Sequence, residues 1–166
     1  MDLKHSLINE LKHEAANTRK MLALVPLNNP TWKPHEKSME MQKLAKHIAT
    51  LPEWISITIN NDVLDFSKER PAPKPDFTST EEMLAAFDGY VEKAIADLEA
   101  TSNETFMKEW TMRDGEKVFF TMPKIAVIRN MAFNHAVHHR GQLSVYLRLA
   151  EVALPMVYGP TADAKL

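Results

Sequence analysis

Two histidines four residues apart sit inside an apolar helical pattern late in the chain, in Asn134-His135-Ala136-Val137-His138-His139-Arg140-Gly141-Gln142. On an α-helix that spacing stacks the imidazoles of His135 and His139 on one face. Counting about 100° per residue from His135 puts Ile128 at about 20°, Ala132 at about 60°, His139 at about 40°, Gln142 at about −20° and Tyr146 at about 20°. Both histidines are thus expected at the centre of the buried stripe, with Arg129, Arg140 and Arg148 on the far side and His138 on the flank. Burying two unpaired imidazoles is costly, so something must face this helix and satisfy them. A lone inward histidine is more often bonded to a backbone carbonyl, but a pair at this spacing can also chelate one divalent metal ion.

A catalytic metal site needs a third ligand and an open position. His47, in Leu44-Ala45-Lys46-His47-Ile48, shares a predicted helix face with Leu44, Leu51, Trp54 and Ile55, so it too is expected to look inward. Facing helices of a bundle commonly build metal sites in this way. His5, His13 and His35 carry no such pattern and are given no functional role. The chain has no Cys, so nitrogen and oxygen must hold any metal, and neither a disulfide nor a protein thiolate nucleophile is available.

The rest of the chain supplies the frame. Leu3, Leu7, Leu11, Ala15, Thr18 and Leu22 recur at helical spacing, which predicts a first helix from Leu3 to about Leu24, stopped by Pro26. Pro26 to Pro34 reads as a surface loop. A second helix is expected from Ser38, kinked or broken at Leu51-Pro52 and resuming through Trp54 to Ile59. Asn60 to Phe77, with its prolines and charges, reads as a long surface connection. Ser79-Thr80-Glu81-Glu82 fits a capping box opening a third helix with Met83, Phe87, Val91, Ile95 and Leu98 as its stripe. Arg113-Asp114-Gly115-Glu116, between Phe106-to-Met112 and Lys117-to-Thr121, signals a hairpin. The last helix is expected from about Pro123 to Glu151, followed by an irregular tail.

At 166 residues, 45% hydrophobic and 25% charged, the sequence suits one soluble domain spanning residues 1–166. A formal charge of −2 offers no broad attraction to nucleic acid or to anionic lipid. No stretch has the length of a membrane span and the amino terminus lacks a signal-peptide core, so the expected compartment is the cytoplasm.

The fragment from Asn134 to Leu143 resembles the last-helix signature of the DinB family, the DinB/YfiT-like metalloenzymes, and Leu44-Ala45-Lys46-His47-Ile48 followed by Leu51-Pro52-Glu53-Trp54 resembles that family's second-helix histidine and its surroundings. The resemblance covers nearly the whole chain. It implies an all-α fold, an up-down-down-up four-helix bundle, here with a small β-hairpin excursion before the last helix. It also implies a triad of His47, His135 and His139 binding nickel or zinc, with water at open positions. Understood members of the family act on thiols, as bacillithiol transferases or as mycothiol-dependent isomerases, and the family often pairs as homodimers.

Three neutral imidazoles would leave a divalent ion its full charge, acidifying a water or thiol placed on it. The expected function is therefore a metal-dependent thiol S-transferase or hydrolase acting on a small molecule, any thiol coming from a cosubstrate. The alternative is a non-catalytic metal- or ligand-binding bundle, and an open coordination position separates the two. Gln142 and Tyr146 stand where they could orient water or substrate, although packing or support of a ligand is the commoner role. Trp54 could wall the pocket, although an inward Trp is more often core.

Overall fold

Asp2 opens the first helix, its carboxylate accepting the Lys4 N–H at 3.3 Å, and α1 (Leu3–Leu22) buries Leu7, Ile8, Leu11, Thr18, Met21 and Leu22. The computed structural model describes residues 2–68 and 75–165. The second helical segment divides at Pro52 as expected, into α2 (Met41–Thr50) and α3 (Glu53–Asn60). Pro52 has no N–H to continue the ladder, yet its φ of −60° and ψ of −23° keep the chain turning. The helix begins at Met41 rather than at Ser38; the backbone before it is extended at Glu40, and no side chain caps it.

Ser79 caps α4 (Thr80–Glu99) by accepting the Glu82 N–H at 3.1 Å. The reciprocal bond of the expected capping box is displaced by one residue, Glu82 accepting instead from the Thr78 N–H and hydroxyl. Met83, Phe87, Ala94 and Leu98 are its buried stripe, with Val91 and Ile95 packed beside them.

The chain is mostly helical, but the expected two-stranded hairpin is part of a three-stranded sheet. A short helix, α5 (Asn103–Met107), leads into β2 (Glu109–Asp114) and β3 (Lys117–Pro123), which pair antiparallel. Gly115 turns the hairpin at φ 58°, a left-handed conformation that favours glycine. The third strand, β1 (Val63–Asp65), runs parallel to β2 and lies in the segment expected to be only a surface connection. Residues 69–74 of that segment fall outside the described residues. The reason for the extra strand lies in contacts that reach across the chain to the hairpin. Asp65, only 8% exposed, accepts from Ser67 N–H and hydroxyl and from Gly115 N–H, and pairs with the Arg113 guanidinium at 2.9 Å. Trp110, fully buried, sets its ring against Trp54 and Phe120 and ties the sheet to the helices.

The final helical run departs from uniform α geometry. It comprises α6 (Lys124–Ile128), a π-helical turn over Arg129–Asn134, and α7 (His135–Leu149). A π turn accommodates an extra residue and so shifts the phase of everything beyond it. This corrects the helical projection. Arg140, expected on the far side, is 3% exposed, while Leu143 and Leu147 are fully buried and His135 and His139 are only half-buried. The histidines therefore stand on the shoulder of the buried stripe rather than at its centre.

Arg140 is tolerated in the interior because its charge is met. It donates to Glu14 Oε2 at 2.5 Å, to the Glu14 carbonyl and to Thr18 Oγ1, and the exposed ring of Tyr158 lies over it. Burial raises the Glu14 carboxyl, but the bonds from Tyr158 and Arg140 outweigh it and leave the group below its ordinary value. The irregular tail that carries Tyr158 is fastened again by Asp163, which pairs with Arg148.

Helices α1, α2, α3 and α4 and the last helical run enclose two apolar clusters. One gathers Leu44, Ile48, Met83, Phe87, Leu143 and Leu147; the other gathers Leu7, Leu11, Ile55, Leu98, Phe106, Ile128 and Phe133. Among the described residues, no helix is long and apolar enough to cross a membrane.

Two predictions follow from the polar pins. Lys124, 3% exposed, donates from Nζ to the Ile59 and Asn61 carbonyls at 2.9 and 2.8 Å and thereby closes the C-terminal end of α3. Lys124→Met keeps the stem and orphans those carbonyls, and is expected to lower unfolding stability by about 2 kcal/mol in urea titrations. The Ser67 hydroxyl, and then the Gly115 N–H, hold the Asp65 carboxyl down at about 2, against an ordinary value of 3.8. A depressed carboxylate stabilises the fold above its unfolded value, so this contribution is lost as pH falls from about 4 towards 2. Asp65→Asn is expected to reduce the Tm at neutral pH and to flatten its fall over that acid range. An acid profile identical to wild type would refute the assignment.

Candidate metal centre

His47 is placed by α2, whose buried face of Leu44, Ala45 and Ile48 fixes the helix rotation and leaves the imidazole half-buried beside α7. His135 is the first residue of α7, immediately after the π turn, and His139 follows one helical turn later. The three side chains meet. His47 Nε2 and His135 Nε2 are 3.2 Å apart, and one nitrogen from each of the three rings lies within 4.8 Å of the others. Ring centroids are 4.9 Å for His47 with His135 and 4.6 Å for His139 with each of them.

The donor set fits a metal. Imidazole nitrogens sit about 2.0–2.1 Å from a first-row ion such as zinc, so two ligands on a tetrahedral centre lie about 3.3 Å apart. The observed 3.2 Å matches that spacing. The group consists of three histidines, with no Asp or Glu joining them among the described residues, so it could hold a divalent ion and leave a position open. Burial holds His135 below its ordinary pKa, reinforced by His139 and His138 and opposed by the Met131 carbonyl. The neutral ring is the form that ligates a metal. Its Nδ1 is buried and has no hydrogen-bond partner of ordinary geometry among the described residues.

The surroundings sort the other candidates. Gln142 Oε1 meets His139 Nδ1 at 2.7 Å, so Gln142 supports one of the three histidines. Tyr146 packs edge-on against Trp32, with centroids 5.8 Å apart, and Trp54 packs against Trp110 at 6.4 Å; both are packing residues here. His138 is exposed, its ring 4.8 Å from that of His139 at the rim. His5 lies beside Asp2, His13 meets the buried Asn17, and His35 accepts from the Lys37 N–H, each a contact within a few residues of chain. Sequence reasoning missed the π turn that sets the angle of His135, and nothing in the residue pattern marks it.

Known proteins resemble this chain in sequence and in fold. A protein of Bacillus subtilis strain 168, the uncharacterized protein YjoA, is 26% identical over 133 residues, 79% of this chain and 80% of that one. The crystal structure of the DinB-like YjoA protein from Bacillus subtilis superposes with a TM-score of 0.68 at 22% identity, covering 92% of this chain and 97% of that chain. A DinB-like protein from Bacillus cereus ATCC 10987 gives 0.67 at 22% identity, covering 89% and 92%. The model of the DinB family matches residues 1–164, and this chain belongs to the DinB family.

Proposed function

We propose that His47, His135 and His139 hold one divalent metal ion, nickel or zinc, and that the protein is an enzyme acting on a small molecule, as a thiol S-transferase or a hydrolase. The observation that carries this reading is the convergence of three imidazole nitrogens from two helices, two of them 3.2 Å apart, without a fourth Asp or Glu ligand in the group among the described residues. When bound, the ion would keep its full charge among neutral ligands and acidify a water or a thiol placed beside it.

The chain's own residues do the rest. His135, kept neutral by burial, and His139, supported by Gln142, present nitrogen donors from one helix while His47 closes the third side. The half-buried setting of all three leaves the centre within reach of a small molecule. Because the chain contains no Cys, a sulfur nucleophile would have to arrive as a low-molecular-weight thiol cosubstrate. In this reading the helices form an up-down-down-up four-helix bundle, and residues 1–166 act as one domain in the cytoplasm, alone or as a homodimer. Neither nucleic acid nor membrane is a partner, consistent with the net charge of −2.

The test is metal content by plasma mass spectrometry on untagged protein, comparing wild type with His47→Ala and His135→Ala. Near-stoichiometric metal in wild type, falling sharply in both variants, is the expected result. The metal-loaded protein should then consume an electrophile in the presence of a small thiol, and the variants should not. A metal-free wild type that also refuses added nickel and zinc would overturn the proposal.

A further inference from the structure

An imidazole presents a bare nitrogen to a metal only if its proton sits on the other nitrogen, and an exposed neutral histidine is under no obligation to put it there. Of the three rings, His139 has that choice decided by a neighbour on its own helix. Its Nδ1 lies 2.7 Å from Gln142 Oε1, one turn further along α7. A carbonyl oxygen has lone pairs and no hydrogen, so the bond exists only with the proton on His139 Nδ1. That leaves Nε2 without a proton. We infer that Gln142 is the positioning residue of the centre, its amide oxygen fixing the tautomer and the ring orientation of His139 so that Nε2 is presented to the ion. The inference rests on the metal reading for its purpose, although the tautomer itself does not.

The choice of an amide has a chemical consequence. The partner that orients a metal-ligating histidine is often a carboxylate, which brings a negative charge close to the ion. Gln142 supplies the same acceptor without that charge, and no Asp or Glu joins the cluster among the described residues. The ion's full charge is thus available to the substrate. Gln142 is exposed, so replacing it leaves the apolar clusters intact.

The experiment uses the full chain in its apo form, labelled with nitrogen-15, and reads the tautomer of His139 from long-range proton–nitrogen correlations above the histidine titration range. A His139→Gln variant identifies the signals. Wild type and Gln142→Glu are expected to hold the proton on Nδ1, and Gln142→Leu to shift it towards Nε2. Titration of zinc into the same proteins should show affinity falling about 10–100-fold in Gln142→Leu and recovering in Gln142→Glu. A His139 proton on Nε2 in wild type, or a tautomer and zinc affinity unchanged in Gln142→Leu, would overturn the inference. So would a change in thermal stability alone, the signature of a packing role. Should wild type bind no zinc while its tautomer still depends on Gln142, the positioning of His139 stands and the metal reading falls.

Discussion

Three imidazoles carried by two helices can meet only if those helices are locked side by side at one rotational setting. The lock is apolar. Leu44 and Ile48 of α2 and Leu143 and Leu147 of α7 share one buried cluster with Met83 and Phe87 of α4, and these contacts leave His47, His135 and His139 on the adjoining shoulders. Rotating either helix by one residue would carry a histidine roughly 100° away from its partners. The polar centre thus depends on the close packing of residues that take no part in its chemistry.

The phase of the last helix has two further determinants. One is the π turn at Arg129–Asn134, which inserts its extra residue immediately before His135 and reorients the whole of α7 relative to α6. The other is the buried Arg140, anchored to Glu14 and Thr18 of α1 and covered by Tyr158 from the tail. A buried guanidinium held by several acceptors has one acceptable position, because any rotation would leave its charge unmet. Arg140 follows His139 directly, so this anchor also limits how far that imidazole can swing.

At the centre itself, burial and polarity are divided between the histidines. His135 lies deep enough for burial to favour its neutral form, whereas His139 is ordered by the hydrogen bond its Nδ1 makes to the amide oxygen of the exposed Gln142. A site on the shoulder of the core combines rigid backbone support with access from solvent. The sheet lies elsewhere in the architecture. Through Trp110 and Trp54 it braces α3, which continues from α2 across the break at Pro52.

Much of this could be read from residue order alone. The 3.6-residue rhythm placed α1, α4 and the last helix, Pro52 marked the break between α2 and α3, Ser79 marked a helix start, and Gly115 marked the hairpin turn, because each of these signals acts within a few residues. The spacing of His135 and His139, with a third histidine on an inward-facing helix, singled out the same three residues that the structure brings together. The pairing of β1 with β2, the burial of Arg140 against Glu14 and the bond between His139 and Gln142 depended on which surfaces came to face one another. So did the half-buried setting of the triad, since the projection assumed uniform α geometry and the π turn breaks it. The sequence by itself determined the helices and singled out three histidines, through local periodicity and chemistry; only tertiary packing decided their convergence, angle, burial and supporting partner, because those depend on contacts between residues far apart in the chain.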